Sequence, residues 1–152
     1  MVKKHPRESA GYRLLVSLFR VNSLLSKASG EFLRPFGLTP SQFNVLIVLK
    51  YTAPDGASQV ELCRHLLVNR ADVTGLVRRM MGRGWLTRRP DRHDDRCKRV
   101  SLSGQGRALL EKIEPAYYRK VAEVMGVFNE RETRQTAPLL ERLSATLQET
   151  HP

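Results

Sequence analysis

The chain has 152 residues, 41% hydrophobic and 27% charged, with a formal net charge of +11 and a sequence pI near 10.4. That length suits one domain or two small lobes sharing a core, and the composition is that of a folding chain rather than a disordered one. It offers no apolar run of the ~20 residues a membrane span needs, no apolar segment with a cleavage site after "MVKKHPRESAGYRLL", and only two cysteines, Cys63 and Cys97, too few for a secreted disulfide framework; a cytoplasmic protein with no membrane partner is expected.

The charge is unevenly placed. Residues 64–99 hold 11 Lys/Arg against 4 Asp, a net +7, whereas residues 104–152 hold 7 Lys/Arg against 7 Glu, a net zero. A localised basic patch is the electrostatic footprint of an anionic partner: nucleic acid, a membrane surface or an acidic protein. The plainer alternative is a basic protein whose charge serves only solubility.

In chain order, the first predicted helix runs over about residues 9–36. Leu14, Leu18, Val21, Leu25, Ala28 and Phe32 recur at alternating steps of four and three, a heptad-like stripe that Leu15, Phe19 and Leu24 widen. Gly30 is a soft spot in it, and "PFGLTP" ends it. "TPSQ" opens the second helix, with Thr39 as N-cap, Pro40 at N1 and Gln42 at N3 completing a capping box. Phe43, Leu46, Ile47 and Lys50 carry that helix on until "APDG" breaks it.

"SQVE" repeats the device, Ser58 capping and Glu61 closing the box of a short helix whose apolar side is Leu62, Cys63 and Leu66, with Cys63 expected as a small core residue. "NRAD" starts the next helix, with Asn69 as N-cap. Val73, Leu76, Val77, Met80 and Met81 mark its buried face, and Gly82 and Gly84 end it. Two short helices joined by a few residues read as a helix-turn-helix. Strand-like runs follow at Trp85–Thr87 and at Arg99–Leu102, with Pro90 and the Asp cluster between them as turn material. Helix, helix, hairpin is a winged helix-turn-helix. Ser103 then caps a long helix reaching Phe128, which Pro115 should kink. "NERE" starts the last helix, carrying Leu139, Leu140, Leu143 and Leu147, with Pro138 arguing against its continuity.

The expected architecture is mainly α with a small β-hairpin wing. A winged helix-turn-helix DNA-binding region spans 39–103, a helical dimerisation region comes from 9–36 and 104–150, and together they form a single domain over 1–152. On the second helix of the pair, the side away from Val73 and Val77 shows Asn69, Arg70, Ala71, Thr74, Gly75 and Arg78. Small residues permit close approach to a groove; Arg pairs bidentately with guanine, and Thr meets a thymine methyl or a phosphate. The competing reading is an ordinary solvated face. The hairpin carries Arg92, His93, Arg96, Lys98 and Arg99, and an arginine suits the negative potential of a narrow A·T-rich minor groove. Asp94 fits an intramolecular role, accepting the guanidinium of Arg96 and holding it outward. The alternative is that Asp94 and Asp95 are turn residues.

These residues also carry a resemblance. "VNRADVTGLVRRMMGRGWLTRRPDRHDDRCKRVSLSGQGRALL" resembles the MarR family of bacterial transcriptional regulators, whose wing has Asp-x-Arg, then Val-x-Leu-Thr and a Gly. Here these stand as Asp94-Asp95-Arg96, Val100-Ser101-Leu102-Ser103 and Gly106. Ser103 replaces Thr, and Cys97-Lys98-Arg99 is more basic than is common. With "GLTPSQFNVLIVL" and the terminal helices, the likeness covers nearly the whole chain. It implies a homodimeric, ligand-responsive repressor, or an activator, of a pseudo-palindromic duplex, with Arg96 as minor-groove arginine and Asp94 its orienting partner. It also implies a pocket for a small aromatic or phenolic anion, for which Tyr12, Arg13, Phe19, Phe43, Tyr51 and His65 are candidates, each also readable as core or surface.

The dimer follows from patterning too. The stripe on the first helix and the leucines of the last exceed what a small wing domain covers, and a two-fold dimer sets two recognition helices about one DNA turn apart; an intramolecular bundle is the alternative. Metal ligation by His93, Asp94, Asp95 and Cys97 is set aside, because residues so close in sequence do not converge readily on one ion. Cys97, among cations that favour a thiolate, is a candidate oxidant sensor. No nucleophile motif, phosphate loop or metalloprotease motif occurs, so neither an enzyme nor a cofactor is expected. The runner-up function is an architectural winged-helix protein binding nucleic acid without sequence choice.

Overall fold

The computed structural model describes residues 9–66, 70–91 and 98–150, and of Arg70 the backbone only. Helix α1 spans Ala10–Leu33 and opens on Ser9, whose side chain accepts the Tyr12 N–H at 3.1 Å. It runs straight through Gly30 and gives way to a 3-10 turn at Arg34–Phe36, where Pro35 sits. Helix α2, Pro40–Ile47, has the expected capping box: Gln42 N–H donates to Thr39 Oγ1 at 3.2 Å and Thr39 N–H to Gln42 Oε1 at 2.9 Å. It widens into a π-helical turn at Val48–Thr52.

Helix α3 spans Gln59–Leu66 and α4 Arg70–Gly82. The end of α4 is a Schellman motif: Trp85 N–H donates to the Met80 carbonyl at 3.1 Å and Gly84 N–H to that of Met81 at 2.9 Å. Strands β1, Leu86–Pro90, and β2, Lys98–Leu102, pair antiparallel in the register Leu86↔Leu102 to Pro90↔Lys98. Pro90, expected in the turn, is thus the last residue of β1. Strand β1 tolerates this, because it is an edge strand and some of its N–H groups face away from any partner. A third segment joins without any periodic signal: Ala57 exchanges backbone bonds with Val100 at 2.9 and 2.8 Å. The preceding Gly56 has φ +94°, and a Cβ there would lie 2.8 Å from the Val100 carbonyl oxygen, so only glycine brings the chain this close. "APDG" therefore does more than break a helix.

Helix α5, Gly104–Met125, starts on Ser103, whose Oγ accepts the Gly106 N–H at 3.0 Å. It stops three residues short of Phe128, in a turn closed by Phe128 N–H to the Met125 carbonyl. Helix α6, Glu130–Thr150, opens on a capping box of Asn129 and Glu132. Both Pro115 and Pro138 lie inside unbroken helices. Pro138 is exposed, so water supplies the partner its missing N–H denies the backbone.

The chain divides into two compact units, Met1–Glu111 and Lys112–Pro152. The core of the first is Leu33, Phe43, Val45, Leu46, Leu49, Leu62, Val73, Val77, Met80, Val100 and Leu110, each at most 2% exposed. Leu33, in the last turn of α1, is the one residue of that helix fully buried. Cys63, expected in the core, is only half-buried, because Leu62 beside it takes the inward position on α3. No helix of the described residues is long and apolar enough to cross a membrane.

Candidate nucleic-acid interface

Helix α3 is fixed at its start by its own capping box. Ser58 N–H donates to Glu61 Oε2 at 2.6 Å, and Glu61 N–H to Ser58 Oγ at 3.2 Å. The Ser58 backbone N–H holds the Glu61 carboxyl below its ordinary value; the Ser58 hydroxyl and Arg99 act in the same direction, against partial burial and the charge of Asp91. Leu62 anchors α3 inward, and Val73, Leu76, Val77 and Met80 anchor α4. This burial settles which face of α4 is outward. Ala71, Thr74 and Arg78 are exposed and Gly75 is half-exposed, as their spacing predicts. Arg70 opens the helix, though its side chain lies outside the described residues, as does all of Asn69.

Two features of this face go beyond the residues expected on it. Thr74 Oγ1 donates to Gln59 Oε1 at 3.2 Å, tying the α4 surface to the first residue of α3. Arg79 lies back over Gly75, its guanidinium 3.2 Å from where a Cβ would stand. Arg79 also borders a cavity of about 220 Å³ shared with Ser41 and Asn44 of α2, Leu66 of α3, and Ala71 and Gly75 of α4. The steps 71, 75, 79 are one turn apart, so the sequence held the signal for Arg79. Ser41 and Asn44 come from a helix the sequence does not tie to this face.

The ribbon lies beside this pair in sequence and in the same compact unit. Arg88 and Arg89 on β1 and Lys98 on β2 are exposed, and Thr87 Oγ1 and Ser101 Oγ meet across the strands at 3.1 Å. Arg99, expected to face DNA, is instead drawn inward: its Nη1 stands 3.2 Å from Asp91 Oδ2 and 3.4 Å from Glu61 Oε2, and its Nη2 donates to the Gly56 carbonyl. Arg92, His93, Asp94, Asp95, Arg96 and Cys97 lie outside the described residues, which takes in the expected minor-groove arginine, its aspartate and the oxidant-sensing thiol.

The six effector candidates are scattered by exposure. Phe43 is 2% exposed, inside the core, whereas Phe19 is 67% and Tyr51 54% exposed. Tyr12, Arg13 and His65 are also exposed, and none of the six lines the cavity beside α4. Among the described residues, no group of three or more His, Cys, Asp or Glu could hold a metal ion.

A helix pair with a shaped outward face, followed by a basic two-stranded ribbon, is a winged helix-turn-helix, a class built for reading duplex DNA. A model of the MarR family matches residues 36–96. The transcriptional activatory protein BadR of Rhodopseudomonas palustris is 33% identical over 119 residues, 77% of this chain and 68% of BadR. The transcriptional repressor YetL of Bacillus subtilis is 26% identical over 141 residues, 90% of this chain and 84% of YetL. Among solved structures, BpsR of Bordetella bronchiseptica superposes with a TM-score of 0.77 at 26% identity, covering 93% of this chain and 97% of that one; its DNA binding is regulated by 6-hydroxynicotinic acid. The chain belongs to the MarR family of winged helix-turn-helix transcriptional regulators.

Proposed function

We propose that the protein is a cytoplasmic, homodimeric regulator that binds a pseudo-palindromic operator in double-stranded DNA. The observation that carries this reading is the outward face of α4, Ala71, Thr74, Gly75 and Arg78 together, with the exposed cations Arg88, Arg89 and Lys98 on the ribbon that follows it in the chain. Small residues let the helix axis approach base edges, Arg78 reads a guanine or a phosphate, and the ribbon cations neutralise flanking phosphates. From the sequence reading, Asn69 and Arg70 join this set, and Arg96, oriented by Asp94, serves in the minor groove as the family resemblance implies.

The homodimer is supported by apolar faces left uncovered in one chain. Phe19, Leu14 and Leu24 on α1 are 67, 59 and 58% exposed, and Leu139 and Leu147 on α6 are each 54% exposed. Apolar surface of that extent marks an association site. The domain division follows: 39–103 contacts DNA, while 9–36 and 104–150 associate. A small aromatic anion as effector has the support of the ligand-regulated relative BpsR. One relative named a repressor and another named an activatory protein leave the ligand-responsive repressor as the expected sign, to be read from transcription.

Selection of bound fragments from a random duplex pool tests this, at roughly physiological salt where nonspecific binding is weak. The expected result is one enriched inverted repeat, with discrimination of ~10³ or more over random duplex. Retention without a shared motif would replace this reading with the architectural one. On the selected site, Arg78→Ala should cost ~1–3 kcal/mol and relax preference at one base position; an unchanged base preference removes Arg78 from the reading set.

A further inference from the structure

Arg99 belongs to the most basic stretch of the chain, yet its guanidinium does not face outward. Nη1 lies between two carboxylates, 3.2 Å from Asp91 and 3.4 Å from Glu61, and Nη2 donates to the carbonyl of Gly56. Its donors are thus engaged by acceptors of the chain itself. The four groups come from separate segments. Asp91 directly follows β1, Arg99 is on β2, Glu61 is in the first turn of α3, and Gly56 precedes the residue whose backbone pairs with Val100. The ribbon is thus joined to the start of α3 by two backbone bonds at Ala57 and by this guanidinium.

We propose that Arg99 is a positioning residue of the DNA interface, clasping the β1–β2 ribbon to the first turn of α3 through Asp91, Glu61 and Gly56, so that the ribbon and α4 meet the duplex in fixed relation. The inference rests on the DNA-binding reading above. Arginine suits the role because its planar fork bonds several acceptors at once, which the single ammonium of lysine does not reproduce. Glu61 serves both as capping residue and as clasp partner.

Glu61→Gln separates the two functions. Gln keeps the capping box, since it still accepts the Ser58 N–H, but it gives up the charge that holds Arg99. The full-length Glu61→Gln and Arg99→Lys proteins are taken through the same duplex selection as the wild type. The readout is the ratio of affinities for duplexes differing only in the flanks outside the repeat, set beside the ratio for duplexes differing in the half-site core. Both variants should keep the core ratio and lose on the order of threefold in the flank ratio, the scale of one partly exposed ion pair. Combining them should lose little more than either alone.

The sign of the Glu61→Gln effect is diagnostic. Removing a carboxylate near DNA tightens binding to every duplex if only long-range charge matters; a loosened clasp lowers the flank ratio. A variant that is merely less stable loses active protein on all duplexes alike and leaves both ratios unchanged, which overturns the proposal. So does an Arg99→Lys protein with wild-type flank preference, and so does a wild type that selects a repeat with no flank preference. A wild type that selects nothing overturns the DNA-binding reading and this inference together.

Discussion

The helix-turn-helix region and the terminal helices use the same residues in opposite ways. Leu46, Leu62, Val73, Val77, Met80 and Val100 are each 0% exposed, every one closed over by its own chain. The stripes on α1 and α6 are as apolar and as regularly spaced, yet Leu14, Phe19, Leu24, Leu139 and Leu147 are all more than half exposed. Patterning says that a face is to be covered; it does not say by what. In the first region a single chain supplies the cover; in the second, the proposed homodimer assigns it to a second copy.

The sharpest way to break that contrast is to cut an equivalent side chain from each region. Met80→Ala should remove ~2–5 kcal/mol of unfolding free energy, read by urea denaturation, because a fully buried methionine leaves a cavity. Leu143→Asp on α6, where the leucine is 39% exposed, should instead weaken self-association about 30-fold or more, measured by sedimentation, with helix content preserved. A wild type that sediments as a monomer at every accessible concentration would break the comparison, since α6 would then be an exposed apolar face with no cover at all. A smaller effect, confined to the first region, is expected at Gly106. A Cβ there would stand 2.1 Å from the Trp85 carbonyl oxygen, so Gly106→Ala should cost ~1–3 kcal/mol by pushing the start of α5 off the ribbon. Stability equal to wild type would mean that this joint yields freely.

The contrast also marks how far the sequence was legible. Capping boxes at Thr39 and Ser58, the inward face of α4 and the paired strands are set by neighbours within a few residues, and each was readable from spacing and side-chain chemistry. What escaped depended on segments far apart in sequence. Ala57 pairs with Val100, 43 residues on, with no alternation to announce it. Arg99 looked like one more cation in a basic run, and only the approach of Gly56, Glu61 and Asp91 turns it inward. Phe43 is a candidate for the pocket that the family resemblance implies; its burial at 2% comes from packing against elements that spacing on α2 alone does not name. Pro138 lowered the prospect of a continuous last helix, and its exposure, a tertiary property, is what lets the helix pass through it.

The smallest expected effect sharpens the comparison electrostatically. Arg134 and Glu130 form a pair on α6 with both side chains more than three-quarters exposed, so Glu130→Gln should leave stability unchanged within error. Glu61 differs because backbone geometry holds it: the Ser58 N–H donates to the carboxylate and lowers its folded value below the ordinary 4.5. A carboxyl lowered on folding adds stability that is fully present above the unfolded value and is lost as pH falls through the folded one. The window is therefore acidic, from about pH 4.5 downward. Urea midpoints taken from pH 6 to pH 3 should fall more steeply for wild type than for Glu61→Gln, with the two curves converging at the acid end. The difference should stay well under ~1 kcal/mol, since the carboxylate side chain is 41% exposed and water screens it. Parallel curves would mean that the capping bond is as strong to a neutral acid as to a carboxylate, and that α3 is held by Leu62 and its packing rather than by the charge at its first turn.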